Sequence, residues 1–295
     1  QGDRSGGHHH DLGVRQLRPQ RRPDDQSATS RSMAAIPSSP IPSGTSVAVS
    51  GESVAVGARF EGGCTVGIND DVTLRSIQVT GEIDTEQENI VRCKFWGYGS
   101  DGTVSANKNT IKIIGEVTDH HVQGYFVYDS KKSGSLTTSH LRFSEKPIQS
   151  TYLVNSANFI ACHHFNYLQK YDILKDAEHG ATFLLNAPFE KDKIWDQLPK
   201  KIQEEIIEKQ LKFYVINASR VAKETGMGSR INGILQTCFF AISNVIPKEQ
   251  AVDYIKESIR KTYGRKGEAV VQKNFDAVDQ TLANLSEIDY AGFVI

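Results

Sequence analysis

Closely spaced cysteines are absent from this chain. Its four, Cys64, Cys93, Cys162 and Cys238, form no C-x-x-C pair, so neither a zinc ribbon nor a cysteine-held iron–sulfur cluster can be assembled locally. The expectation is reduced thiols in an intracellular protein. No stretch approaches the roughly 18 consecutive apolar residues of a membrane span, which predicts a soluble chain with no membrane partner. Neither sign of charge dominates: 34 Lys and Arg face 35 Asp and Glu, the net charge is −1, and the basic residues are scattered. That excludes the electrostatic footprint of a nucleic-acid-binding protein. The G-x-S-x-G and H-E-x-x-H patterns are missing too, which argues against a serine hydrolase or a zincin. What is present is 295 residues with 38% hydrophobic content, enough for one or two domains with a real core.

Residues 1 to 55 contain no aromatic side chain and are rich in Gly, Ser, Pro, Arg and Asp, a composition that cannot bury enough apolar surface to fold. A disordered or linker segment is expected over 1–60. Six arginines between Arg4 and Arg31 suggest a transit peptide, but Asp3, Asp11, Asp24 and Asp25 run against the usual lack of acids there. The compartment is therefore read as cytoplasmic, or as a mitochondrion-type organelle if the source is eukaryotic. Residues 61–88, with a short extended piece at Cys64–Ile68, read as a connector or the tail of a preceding domain.

From Ile90 onward, apolar runs alternate with helical patterns at βαβ spacing. Strands are predicted at Ile90–Phe95, Val122–Tyr128, Leu136–Phe143, Phe159–Ala161, Ala181–Asn186 and Leu211–Asn217. Ile194, Leu198, Ile202 and Ile206 recur every fourth residue, predicting one apolar stripe on a single helix that ends near Gln210. After Ala218 the pattern is helical, with Val252, Ile255 and Ile259 on one face and Val271, Phe275, Val278, Leu282 and Leu285 on another. The predicted fold class is α/β: a Rossmann-like, parallel or mixed sheet flanked by helices, with a helical C-terminal part and a disordered N-terminal segment. Its ligand crevice belongs at the carboxyl ends of the strands.

Gly97, Gly99 and Gly102 form a G-x-G-x-x-G turn between the first of these strands and a helix whose apolar face carries Val104, Ile111 and Ile114. Such a turn lets backbone N–H groups meet a phosphate at a helix N-terminus, or it is simply a tight structural turn. Ser100, Asp101 and Thr103 border it, either to contact the ligand or to cap the helix. Asp129 follows the second strand, where a dinucleotide site places an acid on a ribose hydroxyl. Lys131 and Lys132 come just after, which suits a ligand whose ribose carries a further phosphate, coenzyme A or NADP; the alternative is a set of solvated loop charges. A second glycine pair, Gly226 and Gly228, precedes Arg230 and Asn232, and Arg230 is read as a fork onto a phosphate or as a salt bridge within the fold. Cys162-His163-His164 lacks a recognisable third ligand and is assigned a structural role, with no metal site expected. No catalytic acid–base pair is identified.

Together, Val66-Gly67-Ile68-Asn69-Asp70-Asp71-Val72-Thr73, Cys93-Lys94-Phe95-Trp96-Gly97-Tyr98-Gly99-Ser100-Asp101-Gly102-Thr103-Val104, Ala106-Asn107-Lys108-Asn109, the stretch Gly124 to Gly134, and Ser139-His140-Leu141-Arg142-Phe143 resemble the pyruvate:ferredoxin (flavodoxin) oxidoreductase family, in its central gamma-type catalytic domain. Arg230-Ile231-Asn232 and Lys261 to Gly267 extend the likeness, which covers roughly residues 64 to 285. The resemblance places a gamma-type domain at 89–285, leaves 286–295 as a C-terminal tail, and implies an enzyme that decarboxylates pyruvate oxidatively to acetyl-coenzyme A. Coenzyme A would be the co-substrate of this domain, its contacts being Gly97, Gly99, Ser100, Asp101, Gly102, Thr103, Asp129, Lys131, Lys132, Arg230 and Asn232. Thiamine diphosphate and iron–sulfur clusters would sit on other domains. The implied partners are those domains, a homodimeric mate in the complete enzyme, and ferredoxin, flavodoxin or NADP as electron acceptor. The isolated chain is expected to be inactive. Ser105 and Ser135 depart from the family pattern, where glycine is expected. A stand-alone NADP-linked dehydrogenase and a noncatalytic docking module are the competing readings.

Overall fold

β-Branched and aromatic residues alternate along the strands of a mixed sheet, and the segments between them carry helical apolar stripes. In the computed structural model the described residues are 86–128 and 135–292, together with the backbone of four short strands before them. These divide into two compact units at Glu88/Asn89. In the first unit, β1 (Val47–Ser50) pairs antiparallel with β2 (Ser53–Val56), and β3 (Thr65–Val66) pairs parallel with β4 (Ser76–Ile77). The Val-Ala-Val runs of β1 and β2 have the β-branched character that strands favour; the rest of residues 1–60, expected to be a disordered or linker segment, lies outside the described residues.

The second unit runs β5 (Val91–Tyr98), α1 (Thr103–Val117), β6 (His121–Tyr128), β7 (Leu136–Ser144), β8 (Ala157–Cys162), β9 (Ala177–Asn186), α2 (Ile194–Gln197), α3 (Lys200–Glu208), β10 (Lys212–Ile216), α4 (Ala218–Glu224), α5 (Asn232–Ile242), α6 (Lys248–Tyr263), α7 (Glu268–Asn284) and β11 (Ser286–Glu287). The sheet order is β11-β10-β9-β8-β5-β7-β6. β10, β9, β8 and β5 are mutually parallel, whereas β7 and β11 are antiparallel to their neighbours. This is the α/β, mixed-sheet alternative of the sequence reading.

Period-two alternation sends Cys93, Phe95, Phe159, Ala161 and Leu184 to one face, where α1 and α4–α7 pack, and Trp96, Ile160, Cys162, Phe183 and Phe213 to the other, where α2 and α3 pack. Phe239 of α5 joins helices to sheet: its ring lies 5.0–6.0 Å from those of Phe95, Phe143 and Phe159. The expected single helix over Ile194 to Gln210 is two helices. Leu198 is extended (ψ 140°) before Pro199, which caps α3, because the residue before proline is disfavoured in the α region. The four apolar residues nevertheless all enter the same core.

Residues 286–292 do not form a tail. β11 pairs with β10, Ile288 is buried, the Tyr290 hydroxyl donates to the Leu211 carbonyl at 2.7 Å, and the Tyr290 ring stacks on Trp195 at 5.6 Å. Residues 286–290 are part of the sheet edge.

Candidate ligand crevice at the strand carboxyl ends

Adjacent strands β5 and β8 send their continuations to opposite faces: β5 enters α1, while β8 enters a short 3-10 turn, Phe165–Gln169, packed in the core of the other face. Open α/β sheets leave a crevice at such a reversal. One side of it is the glycine turn and the other is His163 and His164. The His163 amide donates to the Trp96 carbonyl at 2.9 Å, which holds the two sides together.

Each glycine in the turn has its own cause. A Cβ on Gly97 would lie 2.7 Å from Thr103 Cβ and Oγ1, so glycine is what allows α1 to start against the end of β5. Gly102 has φ +86°, and a Cβ there would come within 3.0 Å of Asn232; the left-handed region favours glycine. The Gly99 amide donates to the Ser135 carbonyl at 2.7 Å, tying the turn to the start of β7. Ser100 is exposed and also has positive φ, +82°.

Of the two readings of Asp101, ligand contact or helix cap, the structure shows the cap. The Asp101 carboxylate accepts from the Tyr98 amide (2.8 Å) and the Thr103 amide (2.7 Å), so the chain's own anion fills the mouth of the turn and caps α1. Buried Thr103 shares a 2.7 Å hydrogen bond between its Oγ1 and His163 Nδ1. Burial lowers the His163 pKa to about 4, against a smaller opposing pull from Asp101, so the imidazole is neutral at pH 7. Its Nε2 is enclosed without a hydrogen-bond partner.

Two helix N-termini meet beside the filled turn. Gln236 Nε2 donates to the Ala106 carbonyl (3.2 Å) and to Thr110 Oγ1 (3.0 Å), while Asn232 abuts Gly102. α1 and α5 therefore run side by side in the same direction, with their N-termini together. Neither has an acid in its first turn, and neither N-cap residue, Gly102 or Ile231, supplies a side-chain cap. Two helix N-termini converge on one spot, the α1 end already donating to the Asp101 carboxylate from the Thr103 amide. Arg230 is exposed next to it in sequence and makes no ion pair among the described residues, which leaves the internal salt bridge without support.

The structure thus brings together Gly97, Gly99, Ser100, Asp101, Gly102, Thr103 and Asn232, with Arg230 two residues before Asn232. Asp129, Lys131 and Lys132 lie outside the described residues. The described chain stops at Tyr128 and resumes at Ser135, the partner of Gly99. Sequence reasoning missed the rings on the β8 side: Tyr98 contacts His164 (5.2 Å), which contacts Tyr167 (5.5 Å). The only available signal was a histidine pair directly after a strand.

The molecule is an open mixed α/β sheet flanked by helices, with a glycine turn at the sheet's reversal. Residues 92–283 match the pyruvate ferredoxin/flavodoxin oxidoreductase family, and the chain belongs to it. Over 224 residues, 76% of this chain, it is 58% identical to the pyruvate-flavodoxin oxidoreductase of Nostoc sp., of which the match covers 19%. The chain thus spans about a fifth of the length of the curated relatives it matches. Among solved structures, a pyruvate oxidoreductase subunit of Thermotoga maritima shares the fold with TM-score 0.54 at 13% identity, covering 68% of this chain and 99% of that one. The 2-oxoglutarate:ferredoxin oxidoreductase of Magnetococcus marinus, solved with 2-oxoglutarate, coenzyme A and succinyl-CoA bound, shares it with TM-score 0.50 at 20% identity, over 67% of this chain and 31% of that one.

Proposed function

We propose that this chain is the coenzyme-A-binding, gamma-type domain, residues 89–292, of a 2-oxoacid oxidoreductase that converts pyruvate to acetyl-coenzyme A. The observation that carries the reading is the pair of convergent helix N-termini at Gly102 and Asn232. Their N–H groups and dipoles suit a diphosphate, with Arg230 as a bidentate partner. Asp101 is assigned to the fold: it shapes the turn, and the diphosphate rests over Ser100, Gly102 and Asn232 rather than inside it. Lys131 and Lys132 are assigned to the ribose 3′-phosphate and Asp129 to a ribose hydroxyl; Ser135, three residues after Lys132, accepts from the Gly99 amide. The domain's work is to hold the coenzyme so that its thiol reaches an acyl or hydroxyethyl group carried elsewhere.

Thiamine diphosphate and the clusters are assigned to other domains. The described cysteines, Cys93, Cys162 and Cys238, are buried, and burial raises each thiol above its ordinary pKa; such groups do not supply cluster thiolates. Ferredoxin, flavodoxin or NADP would take the electrons from those domains, and a homodimer is the expected assembly.

Calorimetric titration tests the reading with coenzyme A, dephospho-coenzyme A and NADPH. Coenzyme A is expected to bind, and to bind more weakly once the 3′-phosphate is removed; the Lys131→Ala/Lys132→Ala variant should abolish that difference. Binding of NADPH alone would favour the dehydrogenase reading, and binding of none of the three would leave the docking module.

A further inference from the structure

Tyr98 is the last residue of β5, at the reversal point of the sheet, and 39% of it is exposed although its neighbours Gly97 and Gly99 are buried. Its ring packs against His164 (5.2 Å between centroids, 41° between planes), and His164 packs against Tyr167 (5.5 Å, 40°). Tyr167 continues into Tyr171 (5.3 Å), which stacks on Trp96 (6.1 Å, 25° between planes). Tyr98 is therefore the outermost ring of a braced aromatic ladder and not a loose surface side chain. Its backbone is fixed as well: the amide donates to Asp101 and the carbonyl accepts from the Asp101 amide. A braced and partly exposed aromatic ring is the form that side chains take where they stack a planar heterocycle.

We propose that Tyr98, braced by His164, is the stacking platform for the adenine base of the coenzyme. The inference rests on the coenzyme A reading and deepens it by assigning base recognition to a residue of the crevice that no phosphate contact requires. The geometry favours it because Tyr98 directly precedes the turn that leads to the helix N-termini, so a base on its ring and a diphosphate over Gly102 are neighbours, as they are in adenosine nucleotides. Stacking reads the π-face and not the hydrogen-bonding edge, so the platform tolerates other purines.

The test uses the full chain and two halves of the coenzyme, adenosine 3′,5′-bisphosphate, which has the base, and 4′-phosphopantetheine, which lacks it. Tyr98→Ala should weaken coenzyme A and the bisphosphate by roughly tenfold to a hundredfold and leave 4′-phosphopantetheine unchanged. Tyr98→Trp and Tyr98→Phe should retain binding, and wild-type protein should shift the adenine protons upfield through the ring current, with no such shift in Tyr98→Ala. Unchanged coenzyme A affinity in Tyr98→Ala, or equal weakening of both halves, overturns the platform while leaving coenzyme A binding intact. Failure of the wild-type chain to bind coenzyme A at all overturns the coenzyme reading and this inference with it. Thermal unfolding of each variant separates a lost contact from a lost fold.

Discussion

At the scale of single residues, the crevice depends on atoms that leave no room. Gly97→Ala puts a methyl group 2.7 Å from Thr103, which must push that side chain and its bond to His163 aside; the expected cost is about 1–3 kcal/mol, read as a lowered urea midpoint. Gly102→Ala adds left-handed strain to a 3.0 Å approach on Asn232, and should both destabilise by a similar amount and weaken coenzyme binding by separating the two helix ends. Two buried histidines set the pH response. His163 and His140 each have a pKa lowered from 6.5 to about 4, in both cases by burial first, with Lys94 and Arg142 adding to the effect at His140. The folded chain therefore keeps both neutral where the unfolded chain protonates them. Their contribution is complete above pH 6.5 and is lost as the pH falls from 6.5 toward 4, on the order of a few kcal/mol together. Urea unfolding measured between pH 7 and pH 4.5 should show the midpoint falling, and His163→Asn, which stays neutral throughout, should flatten the curve.

Elements extend the argument, since the crevice is only as well placed as α5. Phe239 docks that helix against Phe95, Phe143 and Phe159, so Phe239→Ala should cost about 3–5 kcal/mol and reduce coenzyme affinity from a distance by freeing Asn232, as calorimetry alongside denaturation would detect. Most strands were legible because apolar and aromatic runs such as Phe126-Val127-Tyr128 and Phe183-Leu184-Leu185 announce themselves between turn residues. The break at Pro199 was hidden by Ile194, Leu198, Ile202 and Ile206, whose spacing survives the kink because both short helices keep their apolar sides on one core. The β8 side of the crevice was illegible for a different reason. His164 meets Tyr98 only because β8 lies next to β5, some sixty residues away, and periodicity within a strand carries no information about which strand is its neighbour. In the turn itself, both readings of Asp101 were open, and geometry chose the cap: two backbone amides are better satisfied by a carboxylate at their own turn than left for a ligand.

For the whole molecule, the matched span of about a fifth of its relatives' length has a direct consequence. The described residues supply a crevice and helix ends, without a cluster of three or more metal-binding side chains, and no helix among them is long and apolar enough to cross a membrane. Purified alone, the chain should show no pyruvate-dependent reduction of a viologen dye or release of carbon dioxide, yet still bind coenzyme A. Turnover without added domains would overturn the proposed division of labour. Recovery of acetyl-coenzyme A formation on adding the missing domains would support it.

The short strand at the C-terminus bears on how this unit can be handled. Ser286 and Glu287 cover the outer edge of β10, and Tyr290 locks against Leu211 and Trp195. An expression fragment trimmed at residue 285, where the family match has already ended, would uncover a row of unpaired backbone groups and invite chains to stack through that edge. Extending the fragment past Tyr290 should yield monodisperse protein where the shorter one precipitates.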